Sequence, residues 1–329
     1  MPAIWSSIEW KLRQQRRAAK LEAVRQIRAQ NMDYELYHDE SQVGAFWHGM
    51  LLVPQARKTL LLESLNRARS NTRYFDPIGI KRVKQQNRVF ACALSWLTVV
   101  VAAMRSRTKG EPLGVYLGET EAGRKCYRLF PQLIGAKFIL FCERGNLSRM
   151  TGHRDHASKV ETTFRMGLKG GLHFLGEEED PIRIERIHFD GHQHLRRHID
   201  LARVIGRLEG LRSYCEVASR ADLIQDGSSD HRRPDAQEHD DCQMLQLTDL
   251  LIGAFRSVIR PPTRDIHVSL AYPVRSLIDR YLQGFARMQN SRWRNSFCMS
   301  ECYLERGKWV FDRLDYVRTG GPEQLPLPM

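Results

Sequence analysis

The stretch YELYHDES, residues 34–41, begins like a β-strand and ends in two adjacent carboxylates. Tyr34 and Leu36 alternate with polar neighbours, a period of two that is typical of a strand. Asp39 and Glu40 then repel each other and are costly to bury as a pair. Two interpretations stay open from this stretch alone: a solvated turn, or a strand end at which Asp39 binds a metal ion.

Length, composition and charge limit the class of protein. The 329-residue chain is 42% hydrophobic, enough to bury a full core, as one large α/β domain with extensions or as two smaller domains. Its net charge of +13 favours an anionic partner, most commonly nucleic acid (RNA or DNA), although general solubility is the alternative. The chain has no Walker-type glycine loop and no Gly-x-Ser-x-Gly elbow, so ATP-driven and serine-hydrolase chemistry lacks support.

The cysteines and the apolar segments predict the compartment. Seven cysteines at irregular spacings argue against a disulfide framework and for a reducing environment, and we expect Cys298 and Cys302 to be buried thiols. No signal peptide is visible at the N-terminus, and the longest apolar run, residues 92–104, is too short to span a bilayer. These features predict a soluble cytoplasmic protein without a membrane partner.

Hydrophobic periodicity predicts strands that alternate with helices. Strands are expected at 34–41, 44–53, 113–117, 137–142, 182–190 and 214–224, and helices at 54–69, 90–104, 155–174, 192–208 and 241–258. Gly170 and Gly171 are expected to loosen the end of the third helix, and the polar window 225–239 reads as a loop. The alternation indicates one α/β domain over residues 32–262.

Both ends of the chain extend this domain. Residues 1–31 read as a strongly basic helix in which four side chains are candidate nucleic-acid contacts: Arg13, Arg16, Arg17 and Lys20. The same helix is a candidate surface for a protein partner or a homo-oligomer, and a solvated face is the third interpretation. Residues 263–329 are expected to add a helix near 274–288 and a β-hairpin that turns at Arg306–Gly307.

Three aspartates lie where a sheet enzyme would place its carboxylates. Asp39 and Asp190 each end a predicted strand, and Asp249 is surrounded by apolar residues in the helix CQMLQLTDLLIGAF. A core-facing carboxylate must be paired or bound to metal, whereas one on the solvent side of the helix needs neither. Asp241 precedes Asp249 by roughly 12 Å if both are helical, so we interpret it as an N-cap or loop residue, or as a residue that contacts a metal ligand.

YHDES, IHFD and the LQLTDLLIGA helix together resemble the family catalogued as domain of unknown function 3800, whose fold is RNase-H-like. The resemblance covers approximately residues 33–260. It implies an RNase-H-like mixed sheet flanked by helices, and a metal-dependent nuclease that hydrolyses the phosphodiester bonds of RNA or DNA. It also implies that Asp39, Asp190 and Asp249 are catalytic and bind Mg²⁺ or Mn²⁺, in a site with room for two ions. Such ions prefer carboxylate oxygens and can act on a phosphodiester as a pair.

The chain departs from the family pattern at two positions. Thr248 stands where alanine is usual, and Gly79, just before Ile80 and Lys81, stands where an acidic residue is common. Three acids are candidates to replace the missing one: Glu40, Glu63 and Asp76. The alternative, if none of them does, is a catalytically inactive RNase-H-like subunit that binds nucleic acid or joins a complex.

Histidines surround Asp190 in the stretch HFDGHQHLRRH. His194 and His198 are one helical turn apart, a spacing that can chelate zinc or another transition metal. One histidine contacting phosphate or substrate is a second interpretation, with His192 as a candidate neighbour of the metal ligands. Ordinary surface histidines are the third interpretation, because a strand-to-helix turn points His188 and its neighbours in several directions.

Overall fold

The structure is a computed structural model, which describes residues 33–104, 114–119, 125–129, 135–144, 156–176, 181–190, 206, 215–218, 222–233, 238–260, 264–284, 296–306 and 308–314. Its strands are β1 (Asp33–Ser41), β2 (Phe46–Pro54), β3 (Gly114–Glu119), β4 (Lys125–Leu129), β5 (Lys137–Glu143), β6 (Ile182–Asp190), β7 (Cys215–Val217), β8 (Ile224–Gly227), β9 (Phe297–Glu305) and β10 (Lys308–Arg313). Its helices are α1 (Lys58–Thr72), α2 (Arg88–Met104), α3 (His156–Leu175), α4 (His239–Ile259), α5 (Asp265–Leu270) and α6 (Tyr272–Leu282). The helices predicted over 1–31 and 192–208 lie outside the described residues.

A mixed sheet forms the centre of the molecule, in the order β10–β9–β5–β2–β1–β6–β7, with β8 also paired to β6. β1 is antiparallel to β2 and parallel to β6, so the direction of the strands changes inside the sheet. β3 and β4 form a separate two-stranded sheet. The prediction of a mixed α/β sheet flanked by helices is confirmed.

Helices cover both faces of this sheet. One face carries Tyr37, Leu51 and Phe138, and packs against apolar side chains of α1, α2, α4 and α6. The other face carries Leu36 and Met50, and packs against α3. Burial on both faces explains why every residue of β2 is buried and why β2 reads as a nearly continuous apolar run. The sheet is the middle layer of three.

Gly167 and Gly171 set the distance between α3 and the sheet. The helix continues through Gly170 and Gly171 to Leu175, so the prediction that these glycines loosen its end is wrong. A Cβ atom at Gly171 would overlap the side chain of Ile139 on β5. One turn earlier, a Cβ at Gly167 would lie 2.7 Å from Phe141. Gly167 and Gly171 therefore allow the helix to pack closely on the sheet.

The segment after residue 214 differs from its prediction. The single strand expected at 214–224 is two short strands, β7 and β8, and β8 takes in the first residues of the predicted loop 225–239. Both strands pair in parallel with β6, Cys215 opposite Ile182 and Ile224 opposite Ile187. β8 is a strand because β6 supplies its backbone hydrogen bonds. A polar sequence gives no local signal of such pairing. The prediction of one continuous strand is wrong, and the predicted loop is confirmed only for the described residues 228–233, because tertiary context decided the structure of the first residues.

The C-terminal segment completes the main sheet. The helix expected near 274–288 appears as α6, which ends earlier, at Leu282, and α5 was not predicted. The expected hairpin appears as β9 and β10, with Arg306 in the left-handed region at φ 50°. β9 pairs in parallel with β5, Phe297 opposite Phe138, and the Tyr281 hydroxyl of α6 donates to the Met299 carbonyl of β9. The predicted hairpin is confirmed, and it is continuous with the sheet.

Cysteines and apolar helices were the basis for predicting the compartment. In the described part of the chain, no helix combines the length and the apolar character that crossing a bilayer requires. The six cysteines whose side chains the structure describes are buried and none forms a disulfide, and Cys298 and Cys302 are the buried thiols expected. Burial raises the pKa of Cys298 to about 12, so its thiol stays protonated at neutral pH.

Candidate metal centre

Strand pairing brings Asp39 and Asp190 to the same edge of the sheet. β1 and β6 run parallel with His38 opposite Phe189, so the next residue in each strand is one of the two aspartates. The carboxyl ends of parallel neighbours meet at one edge. Both side chains that were predicted at strand ends therefore lie at one edge of the sheet.

Asp249 belongs to α4, which packs across β1, β2 and β6. Its Oδ2 atom accepts a 2.7 Å hydrogen bond from the backbone N–H of Ile80, which fixes the direction of the carboxylate. The neighbouring Thr248 is fully buried and its hydroxyl donates to the Met244 carbonyl at 2.9 Å, so threonine is accommodated inside the helix. We refer to Asp39, Asp190 and Asp249 as the aspartate edge.

The carboxylates of the aspartate edge repel one another. Burial raises the pKa of Asp39 well above its ordinary value, and the charges of Asp190, Asp249 and Glu40 raise it further. Burial also raises the pKa of Asp249, to about 6, although the hydrogen bond from Ile80 opposes it; the charge of Asp190 raises this pKa by a smaller amount. Within the described ranges, neither Asp39 nor Asp249 forms an ion pair. A divalent cation would relieve this repulsion.

The three aspartates act on one another electrostatically, but their carboxylate oxygens do not all lie within 4.8 Å of one another. Among the described residues, only one set of three acid, histidine or cysteine side chains has ligand atoms that all lie within 4.8 Å of one another. That set is Glu35, His188 and Asp241, and not the aspartate edge.

The candidates for a fourth acid occupy different places. The backbone N–H of Glu40 donates to Asp39 Oδ1 at 2.8 Å, and the Glu40 charge acts on Asp39, but strand alternation directs its side chain to the opposite face. Glu63 is exposed on α1. Asp76 has a side chain that is 66% exposed and faces Arg232 at 3.7 Å. Of these three, only Glu40 acts electrostatically on Asp39.

Gly79 leaves room for the carboxylate of Asp249. A Cβ atom at this position would lie 2.9 Å from Asp249 Oδ2, closer than side chains tolerate without a shift. The same Oδ2 atom is hydrogen-bonded to the next residue, Ile80. An acidic side chain at position 79 would therefore displace the carboxylate that the Ile80 N–H holds.

A second polar group lies deeper along the same strands, and we refer to Glu35, Tyr37, Lys58, His188 and Asp241 as the lysine cluster. The Lys58 ammonium group lies 2.7 Å from Glu35 Oε2 and 2.6 Å from Asp241 Oδ1. The Tyr37 hydroxyl lies 2.5 Å and 2.8 Å from the same two oxygens and can donate its one proton to either, and the His188 ring stacks on Tyr37 with centroids 4.5 Å apart. Glu35 and Asp241 thus have their own cation.

The electrostatics of the lysine cluster differ from those of the aspartate edge. Burial alone would raise the pKa of Glu35, but the His188 imidazole 3.6 Å away and the hydrogen bonds from Lys58 and Tyr37 outweigh it and hold the pKa well below the ordinary range. Burial alone would lower the pKa of Lys58, but the two carboxylates raise it above its ordinary value. Both partners are therefore charged at neutral pH.

The role expected for Asp241 needs correction. Glu238 is the N-cap of α4, so Asp241 lies inside the first turn and is neither an N-cap nor a loop residue. The helix begins two residues before Asp241, and the carboxylate turns inward to Lys58 and Tyr37. It contacts the lysine cluster and none of the three aspartates.

Gln246 and Arg69 connect the segments that border the aspartate edge. Arg69, only 2% exposed, donates to Gln246 Oε1 at 2.9 Å, and the same oxygen accepts the N–H of Ile78 at 3.0 Å. The amide of Gln246 donates to the Ser229 carbonyl at 2.6 Å, and the Ser229 N–H donates to Asp190 Oδ1 at 3.0 Å. Sequence reasoning quoted Gln246 within a motif but gave it no role, and it missed Arg69.

Two basic side chains, Lys81 and Arg256, act electrostatically on Asp249 at the aspartate edge. The segment that follows Gly79 carries Lys81, Arg82, Lys84 and Arg88, all exposed. On α4, Arg256 donates to the hydroxyl of Ser41 at 2.6 Å. The basic residues predicted to contact nucleic acid, at positions 13–20, and the histidines at 192, 194 and 198 lie outside the described residues, so the zinc interpretation stays a prediction.

Comparison of the chain with protein-family models, with curated proteins and with solved structures found no match. The resemblance to the family catalogued as domain of unknown function 3800 therefore stays a prediction from the motifs. The arrangement of the side chains is the basis for a functional proposal.

Proposed function

We propose that this protein is a divalent-metal-dependent nuclease of RNase-H-like fold, with Asp39, Asp190 and Asp249 as its metal ligands. One observation carries the proposal: three separate elements bring three carboxylates to one edge of the sheet, where burial and mutual repulsion raise the pKa of Asp39 and Asp249. Carboxylates with strongly raised pKa values concentrate at functional sites. A sheet in which β1 lies between an antiparallel and a parallel neighbour is compatible with the RNase-H-like fold.

The donor set of the aspartate edge fits Mg²⁺ or Mn²⁺. Carboxylate oxygens are the ligands that these hard cations prefer, and with only three protein ligands several water molecules would complete the shell. When bound, such an ion lowers the pKa of a coordinated water and neutralises charge on a phosphodiester. The Ile80 and Ser229 N–H groups hold the carboxylates of Asp249 and Asp190 in their orientations.

The basic surface beside the edge supports an anionic polymer as substrate. Residues 81–88 contain four cations and no acid, and they directly follow the segment that holds Asp249. Arg82 is anchored by Asp230 at 3.2 Å, while Lys81, Lys84 and Arg88 form no ion pair with another described residue. Cations in this position would neutralise phosphates next to the metal ligands.

The test is hydrolysis of labelled single-stranded and double-stranded RNA and DNA by the purified protein, with Mg²⁺, with Mn²⁺ and with a chelator. Asp39→Asn and Asp249→Asn are expected to lose the metal-dependent activity. Glu63→Gln and Asp76→Asn are matched controls, because each removes an exposed carboxylate away from the edge, and both are expected to keep it. Equal hydrolysis by Asp249→Asn and by the wild type would refute the assignment.

A catalytically inactive subunit that binds nucleic acid or joins a complex is the second candidate. The observation that favours it is Gly79, which leaves three acids at the edge and places a backbone N–H on an oxygen of Asp249. This candidate predicts nucleic-acid binding that weakens steeply with salt and no metal-dependent hydrolysis. Filter binding across a salt series, beside the hydrolysis assay, separates the two candidates.

A further inference from the structure

We propose that Glu35, His188 and Asp241 form a buried cation site whose resident cation is the Lys58 ammonium group, and that this internal cation positions the three aspartates. The positioning part rests on the proposed function, whereas the cation site does not. Two carboxylates and an imidazole with ligand atoms within 4.8 Å of one another are a donor set suited to a transition metal. In this molecule the place of the metal is taken by an amino group.

The distances identify Lys58 as the occupant. Its nitrogen lies 2.7 Å from Glu35 and 2.6 Å from Asp241, the lengths of charge-assisted hydrogen bonds. The side chains of Glu35 and Asp241 are 5% and 11% exposed, and that of Lys58 is 18% exposed, so water competes little for these contacts. A metal ion and the ammonium group cannot share this space.

Every element of the aspartate edge also carries a member of the lysine cluster. Glu35 precedes Asp39 on β1 by about 13 Å of strand, and Asp241 precedes Asp249 on α4 by about 12 Å of helix. His188 lies two residues before Asp190 on β6. Lys58 therefore joins β1 to α4 at Glu35 and Asp241. From there, β1 to Asp39 and α4 to Asp249 run nearly equal distances to the aspartate edge.

The positioning role is tested by Mn²⁺ binding, followed by electron paramagnetic resonance. Lys58→Met keeps the length of the side chain and removes the charge, and it is expected to bind Mn²⁺ at least about tenfold more weakly than the wild type, the size of effect that loss of a supporting contact has on metal affinity. Lys169→Met, which changes an exposed lysine of α3 on the opposite face of the sheet, is the matched control and is expected to stay within about twofold. Unchanged affinity in a folded Lys58→Met protein would overturn the positioning role.

The cation site itself is tested with Co²⁺ in an Asp39→Asn background, in which the aspartate edge is disabled. Asp39→Asn/Lys58→Ala is expected to gain a bound Co²⁺ with a visible absorption band that Asp39→Asn lacks. Adding His188→Ala is expected to abolish the band. The absence of any gain in Co²⁺ binding on removal of Lys58 overturns the assignment.

The Mn²⁺ and Co²⁺ experiments distinguish failure of the proposed function from failure of the cation site. If wild-type protein binds no Mn²⁺, the proposed function fails, while the Co²⁺ comparison still decides the cation site. If Lys58→Ala unfolds, Co²⁺ is expected to restore its far-ultraviolet circular dichroism, because a metal in the site replaces the missing cation. Failure of Co²⁺ to restore folding counts against the site.

Discussion

The aspartate edge and the lysine cluster place acidic side chains on shared elements, yet the two groups have opposite electrostatic character. In the lysine cluster the ammonium of Lys58 and its neighbours hold the pKa of Glu35 below the ordinary range. At the aspartate edge the pKa values of Asp39 and Asp249 rise. Burial acts in the same direction on both groups, so the difference lies in the neighbours: His188, Lys58 and Tyr37 outweigh burial at Glu35, whereas Lys81 and Arg256 do not outweigh it at Asp249.

This difference separates a structural group from a functional one. A buried carboxylate with its own cation helps to hold the elements together, although the desolvation of both charges limits the gain. A buried carboxylate whose neighbours do not offset the cost of its burial lowers stability and is kept where an external ligand supplies the charge. The comparison therefore predicts which acids respond to added metal and which respond to loss of Lys58.

The largest expected effect comes from one change made at two positions of α4. Asp249→Asn is expected to lower metal-dependent hydrolysis more than the roughly 100-fold that loss of an outer contact costs, because a ligand is removed. Asp241→Asn is expected to lower it only about tenfold, through the position of the edge. Steady-state hydrolysis of the same labelled substrate by both variants measures the contrast, and equal losses would contradict it.

For the free energy of unfolding, changes in the lysine cluster are expected to have larger effects than changes at the aspartate edge. Lys58→Met leaves two buried carboxylates without their cation and is expected to lower the free energy of unfolding by about 3 kcal/mol, whereas Asp241→Asn leaves Lys58 paired with Glu35 and is expected to lower it less. The double variant is expected to lose less than the sum, because the two side chains share one interaction. Urea unfolding followed by circular dichroism measures all three, with Lys84→Met as a control that changes stability by no more than about 0.5 kcal/mol. Strict additivity would separate Lys58 from Asp241.

The pH dependence of the metal-free protein follows from the raised pKa values. Asp39 and Asp249 hold protons in the folded state at a pH where the unfolded chain has released them, so stability is expected to fall as pH rises through the folded pKa, about 6 for Asp249. Between about pH 5.5 and about pH 8 the loss is expected to be on the order of 1 kcal/mol, and smaller in Asp249→Asn. Saturating Mn²⁺ is expected to reverse the trend, because it binds the deprotonated carboxylates. Thermal unfolding in a pH series with and without Mn²⁺ is the measurement, and a stability that rises with pH in the metal-free protein would contradict the shifts.

The smallest expected effect concerns Gly79. In Gly79→Ala the new methyl group meets Asp249 Oδ2, and the affinity for Mn²⁺ is expected to fall by less than about tenfold. Gly206→Ala is the control, because a Cβ atom there meets nothing within 4 Å. Calorimetric titration of both variants is the measurement. Full affinity in Gly79→Ala would mean that the Asp249 carboxylate adjusts without losing its place at the edge.

The elements that carry the aspartate edge were predictable because their signals are local. The alternation in IRIERIHFD predicts a strand over 182–190, and β6 has those bounds. The apolar stripe around Asp249 predicts a helix over 241–258, within the observed α4. Positions at strand ends follow from such periods without knowledge of the tertiary structure.

The lysine cluster was not predictable in the same way. Lys58 opens α1 and finds its partners on β1 and α4, at positions 35 and 241, and no local pattern links these residues. Reading Asp241 as a cap was wrong because an inward-facing acid and a capping acid look alike in sequence. One signal was available: Glu35 and Tyr37 alternate with Asp39, so the strand that presents the predicted ligand also presents two polar groups on the same face.

The parallel pairing of β9 with β5 has a consequence for synthesis of the chain. The register partners Phe138 and Phe297 are 159 residues apart, and contacts over such distances in sequence form slowly. Until residues 297–305 leave the ribosome, β5 presents an open backbone edge beside fully buried side chains. A nascent chain that pauses before this point is exposed to pairing with other chains, so the last strands to be made end its period of greatest aggregation risk.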